Sequence, residues 1–361
     1  MLHDMLIFDI SMPLMLLAIT IASLLLSKRV EPKFRTTFEE REFQTRDTIL
    51  FIILIAVAVS IVVFIPQMAL IAIFLFSYSS LLFTFSFLFS NISKRKAQLF
   101  FLLIGLAGLI AGIIALLNIY GSNLVMFYGG LAAFGLAASA FIAIIYEQLK
   151  SQTKPRWYLA ILPPILFLIV FFLYMYRTVP LLTLVLLDVS GALFAVLITL
   201  YLASLFTWKI TFIFAALLTV MDIILVLVTG FMVQAAEHVA SLNLPVLISL
   251  PTIPLIITSK GISFLSLGLG DFFFAGTLAT QTYKKYGRKI AIISAFTMTI
   301  SFAIFEAGLL STQFGAFPGT LMIIVGWLPI VGWKLISERK TKNKVKVENN
   351  ASNESVENKG G

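Results

Sequence analysis

Apolar runs long enough to cross a membrane recur along most of this 361-residue chain. A helix that spans the hydrocarbon core of a bilayer needs about 20 consecutive apolar residues, because each residue advances it by only about 1.5 Å. Only 12% of the residues are charged, whereas a soluble domain carries about 25%. Too few charges remain to cover a soluble core, so the sequence predicts an all-α polytopic membrane protein.

The apolar runs predict about nine to eleven transmembrane helices. Their approximate bounds are residues 5–26, 49–66, 68–91, 97–118, 123–147, 158–176, 180–206, 210–231, 265–283, 289–310 and 317–336. The number depends on the break at Pro66-Gln67 and on the long run 180–206. Residues 1–209 then form the N-terminal helices, residues 210–337 form the core that carries the candidate site, and the polar tail 338–361 is predicted to be disordered.

Positive charges cluster in alternate connections between the apolar runs. Examples are the cytoplasmic loop 28–47, the run Lys94-Arg95-Lys96 and the basic tail. By the positive-inside rule, this alternation predicts a multi-pass protein of the cell membrane with its N-terminus outside and its C-terminus in the cytoplasm. The net charge of +9 is then explained by loops that face anionic lipid, and no nucleic-acid partner is expected.

The chain lacks cysteine, and its two histidines, His3 and His238, are far apart in sequence. Disulfides, thiolate metal sites and cysteine nucleophiles are therefore excluded. Two distant histidines also argue against a zinc-hydrolase site. The sequence predicts neither a metal nor a cofactor.

Acidic residues within spans are costly, and each is by default a functional hypothesis. The candidates are Asp9, Asp188, Asp222, Asp271 and Glu306. Asp9 lies near a span end and can reach the interface. Asp188 and Glu306 lie deeper, where a proton path is possible but a neutral acid bonded to a neighbouring helix is the simpler account.

Asp222 and Asp271 are distinguished by their context. Asp222 is mid-span, and Asp271 directly follows Gly268-Leu269-Gly270. Neighbouring spans that run in opposite directions can bring the two acids to the same depth. Two close carboxyls cannot both ionise, so one would be charged and one protonated, a state that suits peptide hydrolysis. Alone, the glycine run is also compatible with a helix entry in which Asp271 is the N-cap.

The stretch before Asp271 is predicted to be irregular. Pro245, Pro251 and Pro254 prevent an uninterrupted helix. Irregular backbone at membrane depth requires cover by protein or a water-filled cavity. Residues 244–270 are therefore predicted to form an extended segment or a wet vestibule, preceded by a short amphipathic helix at 232–239.

The run Leu267-Gly268-Leu269-Gly270-Asp271-Phe272 resembles the GxGD signature of presenilins and signal peptide peptidases, the intramembrane aspartyl proteases. The resemblance covers roughly residues 210–336 and implies a presenilin-like bundle that cleaves membrane-embedded helical peptides. It implies that Asp222 and Asp271 are catalytic. It further implies a site shaped by Gly268, Leu269, Gly270, Pro318, Gly319 and Thr320.

The chain departs from the family pattern at two motifs. Met221-Asp222 stands where the family has Tyr-Asp, and Pro318-Gly319-Thr320 where it has Pro-Ala-Leu. An inactive member of the family is therefore one alternative. A secondary transporter or proton-coupled channel is another, since buried acids and broken helices occur there too. The prepilin peptidases are a weaker match, because Phe272-Phe273-Phe274 follows the motif.

Overall fold

The computed structural model describes residues 8–37, 43–64, 93–117, 124–149, 165, 180–235, 247–258, 261–312 and 316–357. Most of these residues are helical. The long helices are α1 (Ser11–Thr37), α2 (Thr45–Phe64), α3 (Lys94–Leu117), α4 (Leu124–Leu149), α5 (Pro180–Leu205), α6 (Trp208–Ile223), α7 (Leu269–Tyr286), α8 (Arg288–Thr312) and α9 (Gly319–Glu357). Helix α6 continues directly into a π-helical segment, Ile224–Val228.

Within the described part of the chain, seven helices are long and apolar enough to cross a membrane. They are α1, α2, α3, α4, α6 with its π-helical segment, α8 and the first half of α9. This confirms the prediction of an all-α polytopic membrane protein. The predicted spans 68–91 and 158–176 lie outside the described residues, apart from residue 165.

Helix α7, which is not among these seven spans, buries a group of polar side chains. Thr277, Thr280, Gln281 and Thr282 are all buried. Gln281 Nε2 donates to the carbonyl oxygens of Ala203 at 2.7 Å and Phe206 at 2.9 Å. Carbonyls at a helix end have no partner within the helix, so Gln281 caps the end of α5 and ties it to α7.

The predicted extended segment before α7 is confirmed by two antiparallel pairs of strands. Strand β1 (Leu247–Pro251) pairs with β4 (Phe264–Gly268), and the short strands β2 (Ile257–Thr258) and β3 (Gly261–Ile262) pair between them. The predicted helical span 265–283 is therefore wrong at its start, since residues 265–268 are strand. Pairing with β1 satisfies backbone groups that a helix would otherwise satisfy internally.

Helix α9 extends to Glu357, into the segment where the sequence predicts disorder from residue 338. Once a helix is nucleated, each further residue adds a hydrogen bond at little cost. The lysines and glutamates of this segment are also good helix formers. Of the predicted amphipathic helix 232–239, residues 232–235 are helical and the remainder lies outside the described residues.

Helices α8 and α9 pack backbone against backbone at Gly326. A Cβ added there would contact the carbonyl oxygen of Thr297 and lie 2.7 Å from Met298 Cα. Because backbone atoms cannot turn away as a side chain can, only glycine fits at this contact.

Gly326→Ala is therefore expected to lower the stability of the helical bundle by about 1–3 kcal/mol, the usual cost of overpacking. Gly308→Ala in α8 is the matched control, because an added Cβ there meets nothing within 4 Å. Both changes gain about 1 kcal/mol of helix propensity. The difference in stability between the two variants therefore reports the contact of position 326 with α8. Thermal unfolding in detergent measures it, and equal midpoints for the two variants would contradict the packing.

Candidate active site

Asp222 is the second-last residue of α6, which ends at Ile223. Its side chain is 5% exposed, and it belongs to the membrane-spanning stretch Trp208–Val228, as the sequence predicts. A π-helical turn within an α-helix frequently marks a functional site. Here it follows Asp222 by only two residues.

Asp271 is the third residue of α7, and the N-cap position is Gly268. The alternative reading of Asp271 as the N-cap is therefore wrong. Strand β4 ends at Gly268 and α7 begins at the next residue, so the chain passes from strand to helix within the Gly-Leu-Gly-Asp run. A carboxylate in the first turn also interacts favourably with the helix dipole.

The start of α9 lies against both aspartates. Thr320 donates to Asp222 Oδ2 twice, from its hydroxyl at 2.7 Å and from its backbone N–H at 3.2 Å. A Cβ added to Gly319 would lie 2.5 Å from Asp271 Oδ1 and 2.7 Å from Asp271 Cγ. The residues of one dipeptide thus contact the carboxyl groups of two different helices, and those carboxyl groups lie within electrostatic range of each other.

The other residues predicted to shape the site have different surroundings. Leu269 is buried in the core, and Pro318 directly precedes α9. A Cβ on Gly268 would lie 3.6 Å from Asp271 Oδ2, whereas one on Gly270 would meet only the ring of Phe273 at 3.8 Å. Within the described residues, neither glycine lies against another helix.

Asp9 is a structural anchor at the start of α1. Its carboxylate accepts hydrogen bonds from the backbone N–H of Ile253 at 2.7 Å, the backbone N–H of Met12 at 2.9 Å and the Ser11 hydroxyl. Ile10 N–H in turn donates to the carbonyl oxygen of Ile253 at 2.9 Å. These bonds attach α1 to the loop after β1.

Asp188 and Glu306 are both buried, but neither belongs to the pair formed by Asp222 and Asp271. Asp188, on α5, accepts a 3.0 Å hydrogen bond from the backbone N–H of Ser249 in β1. Glu306, on α8, lies within electrostatic range of Asp9, and its Oε2 atom has no hydrogen-bond partner among the described residues. The sequence marks both residues as candidates, but it does not indicate that Asp188 bonds to Ser249 or that Glu306 lies near Asp9.

No group of histidine, cysteine, aspartate and glutamate side chains in the described ranges could hold a metal ion. No known protein family matches the chain, and no curated protein matches it either. The assignment of a function therefore rests on the geometry of Asp222, Asp271 and the start of α9.

Proposed function

We propose that this protein is an intramembrane aspartyl protease with a presenilin-like bundle. It hydrolyses peptide bonds in the transmembrane segments or signal peptides of proteins in the cell membrane. The observation that carries the proposal is the convergence of two intramembrane aspartates, Asp222 and Asp271, at Gly319 and Thr320. The loop charges support an outside N-terminus and a cytoplasmic C-terminus, an orientation like that of signal peptide peptidases.

The chemistry requires the two carboxyl groups to share one proton. The ionised carboxylate takes a proton from water as the water oxygen bonds to the scissile carbonyl carbon, and the neutral acid protonates the carbonyl oxygen. The C–N bond then breaks as the newly protonated carboxyl gives its proton to the leaving nitrogen, and the newly ionised carboxylate takes a proton from a hydroxyl of the tetrahedral intermediate. This releases an amine and a new carboxyl group and restores the shared proton. The pair titrates as one unit, so its protonation states belong to both residues.

Thr320 distinguishes the roles of the two aspartates. Its hydroxyl and its backbone N–H both donate to Asp222 Oδ2, and hydrogen bonds to a carboxylate stabilise its charged form. In the described part of the chain, Asp271 receives no comparable bond. We assign Asp222 as the general base and Asp271 as the general acid.

The substrate segment must be extended to be cleaved, because a helix buries its peptide groups in internal hydrogen bonds. Strand β4 runs directly into the turn that carries Asp271. A peptide that adds to the sheet as a further strand would present its backbone beside this turn. The strands therefore support a protease that unwinds a membrane-embedded helical substrate.

Thr320→Val is expected to lower kcat about 10- to 100-fold, because a hydrogen bond to a charged group contributes about 1.5–3 kcal/mol. Valine keeps the shape of threonine and the backbone N–H that donates to Asp222, but its side chain cannot donate. Thr320→Ser restores the donor and should recover most of the activity. Initial cleavage rates at saturating peptide measure the effect, and equal rates for the valine and serine variants would show that the hydroxyl has no role.

Reconstitution in liposomes tests the proposed function. The substrate is a single-span peptide with a fluorophore on each side of its apolar segment, and the control is the double variant Asp222→Ala/Asp271→Ala. Cleavage by the unaltered protein alone supports the proposal. Proton or solute flux without cleavage would establish the transporter instead, and the absence of both would indicate an inactive member of the same fold.

A further inference from the structure

We propose that Asp188 and Pro251 close the outer edge of β1, so that an extended substrate can pair only with β4. The inference deepens the proposed function, since it rests on a substrate segment that binds as a strand. It assigns Asp188 as a positioning residue that sets which strand the substrate joins. Among the described residues this sheet has two strands, so each strand has one outer edge.

The register fixes which backbone groups point outward. In an antiparallel pair, opposed residues alternate between those that exchange two hydrogen bonds and those that exchange none. Thr252 N–H donates to Ser263 O at 3.1 Å, which continues the β1–β4 register at a bonded position. Ser249, opposite Ser266, and Pro251, opposite Phe264, therefore occupy non-bonded positions whose backbone groups face the outer edges.

The outer edge of β1 has lost two of its donors. The Ser249 N–H is already bonded to Asp188 Oδ1 at 3.0 Å. Pro251 has no N–H, and proline is tolerated in a strand where its nitrogen faces away from the partner strand. An incoming peptide would therefore find no free donor at either position.

Helix α5 also packs against β1. At Gly191, an added Cβ would lie 3.5 Å from Ile248 Cγ1 in β1 and 3.5 Å from Leu269 Cδ2 at the start of α7. The turn of α5 that carries Asp188 thus packs on β1 and on the helix that carries Asp271. Asp188 holds β1 in a fixed position relative to the catalytic turn.

The outer edge of β4, unlike that of β1, keeps its outward-facing backbone N–H groups. The outward positions are Phe264, Ser266 and Gly268, each of which keeps its N–H. Within the described ranges, no other backbone group bonds to these N–H groups. Phe264 and Ser266 are also exposed. A peptide on this edge would run toward Asp271, which lies three residues beyond Gly268.

Disulfide mapping tests the assignment without requiring cleavage. The chain has no cysteine, so Phe264→Cys on β4 and Leu247→Cys on β1 can be introduced singly into the Asp271→Asn protein. Peptide substrates carry one cysteine at successive positions. Neighbouring strands lie about 4.8 Å apart, and a disulfide needs Cα atoms within about 7 Å, so each cysteine reports only the adjacent strand.

With Asp188 intact, we expect at least tenfold more cross-linked product at Phe264→Cys than at Leu247→Cys. Equal yields, or a higher yield at Leu247→Cys, would overturn the proposal. This comparison needs no change at Asp188, so it holds even if Asp188 variants fail to fold. Cross-linking at β4 by a protein that never cleaves would refute the protease but leave the edge assignment standing.

Substitutions at Asp188 then test directly whether its carboxylate keeps the substrate from pairing with β1. Asp188→Leu frees the Ser249 N–H and should raise the Leu247→Cys yield several-fold, whereas Asp188→Asn keeps an acceptor oxygen and should not. Adding Ser249→Pro to Asp188→Leu removes the freed N–H and should return the yield to its original level. An Asp188→Leu protein with an unchanged cross-link distribution would overturn the role of Asp188.

Discussion

Cleavage of a membrane-spanning peptide is expected to fall about 1000-fold or more when either Asp222 or Asp271 is replaced by asparagine. Positioned general acids and bases contribute about 10²- to 10⁴-fold each, and the proposed mechanism uses both carboxyls in the same step. Asparagine keeps the volume of aspartate and, at position 222, can still accept the hydrogen bonds from Thr320. The loss would therefore report the carboxyl chemistry rather than the packing.

The double variant Asp222→Asn/Asp271→Asn should be about as inactive as either single variant. Residues that act as a unit show such non-additive losses, whereas two independent contributions would multiply. Glu306→Gln is the matched control, since Glu306 is also a buried acid within a membrane span but lies outside the proposed mechanism. It should retain cleavage. Full activity in either single aspartate variant would refute the aspartate pair.

The features that the sequence predicted correctly are those set by local physical chemistry. Apolar length alone predicts the spans. The prolines between residues 245 and 254 predict an interruption, and the strands β1 and β4 occupy it. The glycine run before Asp271 is compatible with a helix entry, and α7 begins within it, directly after β4.

The long-range hydrogen bonds of the buried acids could not be predicted, because each joins residues far apart in the chain. Thr320 and Asp222 are separated by 98 residues, Ser249 and Asp188 by 61, and Ile253 and Asp9 by 244. A single sequence shows that an acidic residue lies within an apolar span. It does not show which hydrogen-bond donor offsets the free-energy cost of burying that residue. Nothing in the sequence indicates that Asp9 and Asp188 accept backbone hydrogen bonds from Ile253 and Ser249.

Gly319→Val is expected to lower cleavage about 100-fold or more while leaving the bundle folded. A Cβ at this position would lie 2.5 Å from Asp271 Oδ1, far inside contact distance. The atoms that it meets belong to the end of a short side chain, so the cheapest response is a displacement of the Asp271 carboxyl. A misplacement of about 1 Å in a catalytic group can cost about 10²-fold in rate.

The loss of cleavage should increase with the size of the side chain added at position 319. Alanine adds one methyl group, which rotation of the Asp271 carboxyl can partly accommodate, so Gly319→Ala should be intermediate between the native protein and Gly319→Val. Gly332→Val is the control within the same helix, since an added Cβ there meets nothing within 4 Å. Both valine variants have the same unfavourable helix propensity relative to other apolar residues.

Peptide cleavage and thermal unfolding, measured together in detergent, separate the two ways in which Gly319→Val could fail. Loss of cleavage with an unfolding midpoint close to that of Gly332→Val supports a displaced carboxyl. A midpoint lowered by many degrees would instead make Gly319 a packing residue like Gly326. Full cleavage by Gly319→Val would mean that the Asp271 carboxyl need not lie against α9 for reaction, and that the site geometry proposed here is wrong.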